Sequence, residues 1–455
     1  MGWYQSLHLP LGGVSMSRGW PFVGALIASF AIAGVSIVAE PGSAEEPDSA
    51  ALAYAGASAD SGTKPAAPKA AKPQRPYLDS QEGSRAVSPA APAPKAAAPA
   101  RAPEAAAARE TAIPPEAMAG SYGAAAGPAT AVPNMIGDSL NGGFGGMTFT
   151  SLSISEPVSV GLAGGSRRFK IAEDESPLPT DRLIFDYNHF ENPLVDVYGQ
   201  TRNLDRFTFG IEKTFRDGLW SVEFRVPFAA GYNSTQSTVG GSLDATEFGD
   251  MALAFKRTLI RREDFILAGG LGLVFPTGPA WKFVDATGVA AEVRNEAIHL
   301  GPFLGAAWRP NDRLFFLCFA QLDFDTHGDT VLTNGGGTLD KVGVFNEQSL
   351  LFLDFSMGYW LYQNPNARWL TAIAPMVEIH YTTTLQNMDS VTDGAGTVIG
   401  PPSGSGRRDI LNLTAGLHFQ MGSLSTLTVA AVAPLTIGEN REFDCEVLAQ
   451  YNRRF

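Results

Sequence analysis

The sequence lacks any run of about 20 apolar residues after residue 40, so we expect no membrane-spanning helix in the main part of the chain. Charged residues are also scarce, at 17% of the 455 residues, while 45% are hydrophobic and the mean hydropathy is near zero. A helical membrane protein would be far more apolar. A β-barrel has ordinary mean hydropathy because its apolar side chains alternate with polar ones.

Basic residues are in deficit, since 33 Lys and Arg stand against 46 Asp and Glu, a formal net charge of −13. This balance argues against nucleic acid as a partner. The two cysteines, Cys318 and Cys445, are too few for a disulfide scaffold. They fall on predicted strands that are not neighbours, so we expect no disulfide between them.

Motifs for enzyme and cofactor chemistry are missing as well. No Gly-x-Ser-x-Gly elbow and no His-Glu-x-x-His metal site occurs, and Gly142–Gly146 is not followed by the Lys-Ser/Thr of a phosphate loop. The starting points for a hydrolase are His380 with 382–384 and His418 with Thr414, and neither has a recognisable third group. We therefore expect no enzyme, no cofactor and no metal, with a lipid hydrolase as a remote alternative.

The amino-terminal region predicts export. Residues 20–39 form the longest apolar stretch, Arg18 precedes it, and Gly42-Ser43-Ala44 supplies the small residues of a cleavage site. Residues 1–44 are therefore expected to be a signal peptide, with an uncleaved anchor as the alternative. Residues 45–133 are rich in Ala and Pro and almost free of aromatics, which predicts a disordered periplasmic linker.

From residue 182 to 455 the chain predicts about twelve β-strands with alternating faces. The strand at about 219–229 sets Trp220, Val222 and Phe224 on one face against Ser221 and Glu223 on the other. Short turns, such as the one around Asp217-Gly218, alternate with long loops, as in bacterial outer-membrane barrels. Among β-sheets, only a closed barrel satisfies all backbone groups in lipid. The fold class expected is an all-β, antiparallel transmembrane barrel.

A soluble β-sandwich is the competing fold, because its strands also recur at regular spacing. Sandwich strands usually run about 5–6 residues and carry a polar outer face. Here both faces of several strands hold large apolar residues, as where Phe315, Leu317 and Phe319 oppose Phe316 and Phe324. The pattern therefore favours the barrel.

Three segments resemble a known family. Ser176-Pro-Leu-Pro-Thr-Asp-Arg182, followed by Phe185-Asp-Tyr-Asn-His-Phe190, resembles the opening of a widespread set of outer-membrane barrels from planctomycetes and their relatives. Gly272-Leu-Val-Phe-Pro-Thr-Gly278 resembles a strand-to-loop signature of the phenol meta-pathway transporter-like barrels, and Ala374-Pro-Met-Val-Glu-Ile-His-Tyr381 is similar to that family too. The resemblance covers about residues 167–455. It implies an outer-membrane barrel connected with the uptake of hydrophobic compounds.

The polar face of the strands is expected to line the lumen. The candidates are Asp186, Asn188, Glu223, Arg225, Gln321, Asp323, Asp325, Glu378 and His380. Each of them could bind a solute, or could fill the lumen by pairing with other residues and water. With Asp323, Asp325 and Glu378 pointing inward, an open pore is predicted to prefer cations.

The carboxyl terminus is expected to carry the assembly signal, with Tyr451 and the terminal Phe455 facing lipid. The same alternation places Phe443 and Cys445 on the lipid face. Aromatics near strand ends, such as Trp220, Trp308 and Trp369, fit interfacial girdles or ordinary packing equally well.

Residues 134–181 precede the first strand and are expected to form a plug or a pre-barrel segment, held by the basic residues of Arg167-Arg-Phe-Lys-Ile171. The predicted role is passage of small molecules through the barrel, with hydrophobic or aromatic ones as candidates. The alternative is a structural barrel tethered to peptidoglycan by its Ala/Pro arm. The expected partners are outer-membrane lipids, the barrel-assembly machinery and a small solute.

Overall fold

Alternating faces and tight turns build one closed barrel in the computed structural model. The model describes residues 132–138, 147–154, 156–161, 168–335, 337–401 and 404–455. The expected signal peptide, nearly all of the linker and the glycine cluster Gly142–Gly146 lie outside the described residues. No helix in these ranges is long and apolar enough to cross a membrane.

Twelve strands form the barrel, and each pairs antiparallel with both of its neighbours. The circle closes where the first strand pairs with the last, with Tyr187 opposite Ala449. The prediction of a closed antiparallel barrel of about twelve strands is confirmed. The strands are β1 Arg182–Val195, β2 Thr201–Phe215, β3 Trp220–Ala230, β4 Met251–Arg261, β5 Phe265–Phe275, β6 His299–Trp308, β7 Leu314–Asp325, β8 Leu350–Tyr359, β9 Leu370–Thr384, β10 Asp409–Met421, β11 Ser425–Pro434 and β12 Cys445–Arg454.

One end of the barrel, the turn end, carries the short connections. In the turn between β2 and β3, Arg216, Asp217 and Gly218 have φ values of 51°, 58° and 73°. This left-handed backbone is the conformation that Asp-Gly turns favour, and it brings Phe215 opposite Trp220. The sequence signal for this hairpin is therefore confirmed.

Burial alternates along the strands, as the pleat of a sheet requires. On β7, Phe315, Leu317 and Phe319 are at most 1% exposed, while the side chains between them face outward. The outward face is apolar around the circumference, with exposed residues such as Phe209 and Leu304. An apolar outer band on a closed barrel is the structure that a β-protein needs to span a membrane.

At the opposite end, the loop end, the long loops fold into two further sheets that the sequence did not predict. A five-stranded sheet consists of Thr235–Ser237, Trp281–Asp285, Gly288–Val293, Asp329–Asn334 and Leu339–Phe345. A four-stranded sheet consists of Thr148–Thr150, Val158–Ser159, Val391–Thr392 and Val398–Gly400. We call these two sheets the cap.

The cap has a hydrophobic core of its own. The ring of Phe149 lies 5.2 Å from that of Trp281 and 4.7 Å from that of Phe283, measured between centroids. All three side chains are at most 1% exposed. The segment before β1 therefore supplies two strands to the cap and, with Phe149 and Val158, part of its core.

Two expectations for single residues near the barrel ends can be checked. Phe443 does not face lipid, as the alternation predicted, but is 2% exposed and packs against Phe190 at 5.7 Å between ring centroids. It precedes β12, so the two-residue period of that strand does not apply to it. Cys318 on β7 and Cys445 on β12 are both free thiols.

Candidate functional site

Two stretches of the segment before β1 lie inside the barrel, and we call residues 132–138 and 168–176 together the inner segment. They run antiparallel to each other, with a bridge between Met135 and Glu175 and a hydrogen bond of 2.8 Å from the Met135 amide to the Glu175 carbonyl. Gly137 has a φ of +86°, and a Cβ atom added to it would lie 2.7 Å from the Glu173 Cα. Only glycine allows the two stretches to approach so closely here.

Glu378 on β9 binds one stretch of the inner segment through its backbone. The Glu378 carboxylate accepts hydrogen bonds from the amides of Ile136 and Gly137, at 2.9 and 2.8 Å. The ring of His380 lies between two carboxylates, with Nδ1 2.8 Å from Asp354 and Nε2 3.2 Å from Glu378. These contacts fix the inner segment to one wall of the lumen.

Lys170 lies at the middle of the lumen and is fully buried. Its ammonium group pairs with Asp138 of the other stretch and lies 2.8 Å from Asp354 of β8. A buried ammonium needs such partners, because desolvation alone would cost several kcal/mol. Lys170 thus joins both stretches of the inner segment to the wall.

Arg168 makes the corresponding contacts nearer the loop end. Its guanidinium pairs with Asp323 of β7, lies 3.0 Å from Glu347 and donates to the Gln348 carbonyl at 2.6 Å. His299 Nδ1 lies 3.0 Å from the same Asp323 carboxylate. The Asp323 carboxylate is therefore bound by the Arg168 guanidinium and lies beside the His299 ring.

Nearer the turn end, the inner segment presents three consecutive acids to the wall: Glu173, Asp174 and Glu175. Glu173 pairs with Arg206, and Glu175 lies 3.1 Å from the Arg182 guanidinium and beside the Lys256 ammonium. Here the acids belong to the inner segment and the bases to the wall. At Arg168 and Lys170 the arrangement is reversed, with the bases on the inner segment and acids on the wall. The two charge patterns together specify both the position and the direction of the inner segment.

Two clusters of acidic side chains in the lumen are compact enough to hold a metal ion. In both clusters, however, Lys or Arg side chains already lie beside the carboxylates. The first group is Asp138, Asp354 and His380, and Lys170 contacts both of its carboxylates. The second is Glu175, Glu212 and Glu223. Arg182 lies 2.8 Å from Glu212 and 2.7 Å from Glu223, and Lys256 lies 2.9 Å from Glu212.

Eight of the nine lumen candidates are at most 3% exposed: Asp186, Asn188, Glu223, Arg225, Gln321, Asp323, Glu378 and His380. The ninth, Asp325, lies partly exposed at the loop end, where its carboxylate accepts the amides of Gly328 and Glu347 at 2.8 and 2.7 Å. Gln321 binds the inner segment directly, since its amide group bonds the Ile171 nitrogen and the Phe169 oxygen at 2.7 and 2.6 Å.

The structure also places the terminal and catalytic candidates. Phe455 is 57% exposed, and the hydroxyl of Tyr451 lies 3.2 Å from that of Ser425. His418 Nδ1 lies 2.9 Å from the hydroxyl of Thr428 on the neighbouring strand, whereas the Thr414 hydroxyl donates to the Gly137 carbonyl at 3.2 Å. The two residues considered as a starting point for a hydrolase thus have different partners.

Sequence reasoning missed several charged residues of the lumen: Arg182, Arg206, Glu212, Lys256, Asp354 and Glu446, all at most 3% exposed. A signal for Lys256 was present, because it shares a face of β4 with Ala252 and Ala254, and the residues between them are large and apolar. Alternation assigns the face of such a residue. It does not assign the partner.

The wall from β6 to β9 is apolar toward the turn end. Phe303, Phe315, Phe319, Trp360 and Met376 belong to one buried hydrophobic cluster. The inner segment contributes Met135, Ile136, Phe169 and Ile171 to the same cluster. The inner segment therefore combines apolar side chains, which join the cluster of this wall, with charged ones. Its acids Glu173 and Glu175 contact bases of β1, β2 and β4, and its bases Arg168 and Lys170 contact acids of β7 and β8.

No protein-family model and no curated protein matches the chain. Among solved structures, an outer-membrane channel of Pseudomonas putida F1 is 10% identical with a TM-score of 0.42, over 62% of this chain and 97% of that one. The toluene transporter TodX of Pseudomonas putida is 8% identical with a TM-score of 0.35, over 72% of this chain and 100% of that one. The NanC porin is 8% identical with a TM-score of 0.34, over 60% and 98%. We draw no functional argument from similarities at this level.

Proposed function

We propose that the protein is a gated channel of a bacterial outer membrane, which passes small molecules when the inner segment leaves the lumen. The observation that carries the proposal is the way the inner segment is held. It is bound through side chains and hydrogen bonds rather than as a strand of the barrel, so the twelve-stranded wall closes without it. Its removal would therefore open a path and leave every strand pair of the barrel intact.

In this proposal the described state is the closed one. The inner segment lies within the lumen, and the cavity beside Arg225 and Phe169 measures about 30 Å³, room for one or two water molecules. The carboxylates of Asp323 and Glu378, which would attract cations in an open pore, are here bound by Arg168 and by backbone amides. The predicted preference for cations thus applies to the open state.

The solute class that fits best is small and apolar or aromatic. Displacement of the inner segment would remove its apolar side chains from the hydrophobic cluster that they share with the wall, where the rings of Phe315 and Trp360 lie 5.7 Å apart between centroids. A ring of the solute would replace those of the inner segment at contacts worth about 0.5–1.5 kcal/mol each. The opposite wall would stay charged and hydrated.

Single-channel conductance in a planar bilayer tests the proposal, with the protein compared with a variant lacking residues 134–176. Correct folding of both is checked by strand content and by the shift in gel mobility on heating. We expect a silent or rarely open channel from the intact chain and discrete, cation-selective steps from the variant. Silence from both folded proteins would contradict the proposal and favour the second candidate, a structural barrel, since a filled lumen suits that role too.

A further inference from the structure

Charge is unevenly distributed between the two ends of the barrel. At the turn end, residues 213–220, 257–265, 308–313, 359–369, 421–425 and 453–455 include ten Lys and Arg but four Asp and Glu. At the loop end, residues 191–203, 231–250, 276–298, 326–349, 385–408 and 435–444 include seven Lys and Arg but sixteen Asp and Glu. A chain of net charge −13 thus keeps one strongly basic end.

Several of these basic side chains lie on the outer face of the barrel. Alternation places Lys213 on the same face of β2 as the exposed Phe209 and Ile211. Arg257 follows Phe255 on the outer face of β4 in the same way. Arg453 follows Val447 on β12, so all three cations point away from the lumen, at the end of the apolar band.

Aromatic rings lie beneath the cations around the circumference. Measured to the ring centroid, the Lys213 ammonium lies 5.0 Å from Phe455 and the Arg257 guanidinium 4.9 Å from Trp220. The pairs Arg313 with Tyr359 and Arg368 with Trp369 lie at 6.0 and 5.6 Å. Trp369 is 75% exposed and Phe455 57% exposed. Aromatic residues in such positions mark the depth of the lipid headgroups.

We propose that these cations bind the headgroups of anionic phospholipids in the leaflet at the turn end. We name Lys213, Arg257, Arg313, Arg368 and Arg453 the basic collar. Guanidinium groups match phosphate oxygens in a two-pronged geometry, and an anionic membrane surface attracts each nearby Lys or Arg. The occupant is a lipid rather than a transported solute, because Lys213, Arg257 and Arg453 share the face of the apolar band and not that of the lumen.

The inference does not depend on the proposed channel function. A barrel that conducts nothing would bind the same lipids, and a channel could function without them. The collar would favour one orientation of the barrel in an asymmetric membrane. The acidic loop end would be repelled by the lipids that the turn end attracts.

Quenching of tryptophan fluorescence by brominated lipids tests this inference. Trp220, Trp308 and Trp369 lie at the turn end and report on the lipids in contact with it. The folded protein is placed in vesicles of phosphatidylglycerol and phosphatidylcholine, with one or the other brominated. We expect phosphatidylglycerol to be preferred about fivefold, the effect of roughly one cation near an anionic surface.

The collar variant K213Q/R257Q/R313Q/R368Q/R453Q should lower this preference to near unity. The matched control R202Q/K282Q/R294Q/K341Q/R441Q removes five charges from the loop end and should leave it unchanged. If the collar variant does not fold, about 1 M NaCl should abolish the preference of the unmodified protein, because the screening length is then only about 3 Å. The inference would be overturned if the two brominated lipids quenched the unmodified protein equally. It would also be overturned if the collar variant and the loop-end control lost the preference for phosphatidylglycerol to the same extent.

Discussion

The ammonium group of Lys170 lies 2.8 Å from a carboxylate oxygen of Asp354, and both side chains are fully buried in the middle of the barrel. One partner belongs to the inner segment and the other to β8 of the wall. Asp138 of the inner segment pairs with the same ammonium group. This junction ties both stretches of the inner segment to the wall, and in the proposed function it keeps the channel closed.

Lys170→Met should open the channel. It leaves Asp138 and Asp354 buried without their cation, which typically costs about 3–5 kcal/mol. The bound inner segment loses that stabilisation, so the open population should rise by about two to four powers of ten. Open probability in planar bilayers measures this. Lys282→Met, which removes a 41% exposed ammonium in the cap, serves as the control. If both variants open equally seldom, Lys170 does not hold the lumen closed.

A disulfide between the cap strands Thr148–Thr150 and Val398–Gly400 should keep the channel closed, because it ties the segment before β1 to the loop between β9 and β10. Thr150 and Val398 are antiparallel partners, and such Cα atoms lie about 4.5–5.5 Å apart, within disulfide range. In a Lys170→Met background with both native cysteines replaced by serine, T150C/V398C should be silent when oxidised and should conduct after reduction.

The matched control for this cross-link is N334C/L339C, which joins antiparallel partners within a single cap loop. It should conduct in both redox states, because it does not touch the segment before β1. If the oxidised T150C/V398C protein conducts as freely as the reduced one, opening does not require the cap to release that segment.

Arg182→Met should destabilise the barrel near the turn end. The guanidinium lies 2.8 Å from Glu212, 2.7 Å from Glu223 and 3.1 Å from Glu175, so its loss leaves three buried carboxylates close together. We expect the free energy of unfolding to fall by about 3–5 kcal/mol. Guanidinium chloride unfolding in detergent measures the change, with the exposed turn residue Arg262→Met as control. A loss of stability no larger than that of the control would show that these acids are compensated in another way.

Phe319→Gln should reduce the passage of aromatic solutes through the open channel. Liposome swelling with the Lys170→Met protein compares L-phenylalanine with L-glutamine, two solutes of similar size that cross lipid slowly. We expect L-phenylalanine to enter about two- to tenfold faster, because one aromatic contact stabilises it by about 0.5–1.5 kcal/mol. Phe319→Gln should abolish this difference, whereas Thr208→Gln on the polar wall should not. Equal rates for the two solutes in all variants would exclude a preference set by the aromatic wall.

The strands were predictable because their signals are local. Alternation on β3 and β7 and the turn at Asp217-Gly218 each depend on a few neighbouring residues. The strand predicted at about 219–229 differs by one residue at each end from the observed β3, because lipid outside and packed side chains inside enforce the same two-residue period along the strand. A local signal does not foresee a break in register, such as the one between Phe190 and Leu194 in β1.

The cap was not predictable in the same way. Its strands are two to seven residues long and come from four different loops and from the segment before β1. The glycine- and serine-rich composition around Gly335 and Ser403 indicates loops by every local criterion. Only the approach of these loops at one end of a closed barrel lets Phe149, Trp281 and Phe283 share a core.

By itself, the sequence determined a closed barrel, the inward or outward side of strand residues away from bulges such as those at Ile260 and Thr371, and the segregation of charge between the two ends. These follow from the period of the pleat and from the order of short and long connections. The tertiary structure alone decided which inward charges meet. The Glu378 carboxylate and the amide of Ile136 are 242 positions apart. Ion pairs and hydrogen bonds at such separations leave no local pattern, because their geometry exists only after the barrel has closed around the inner segment.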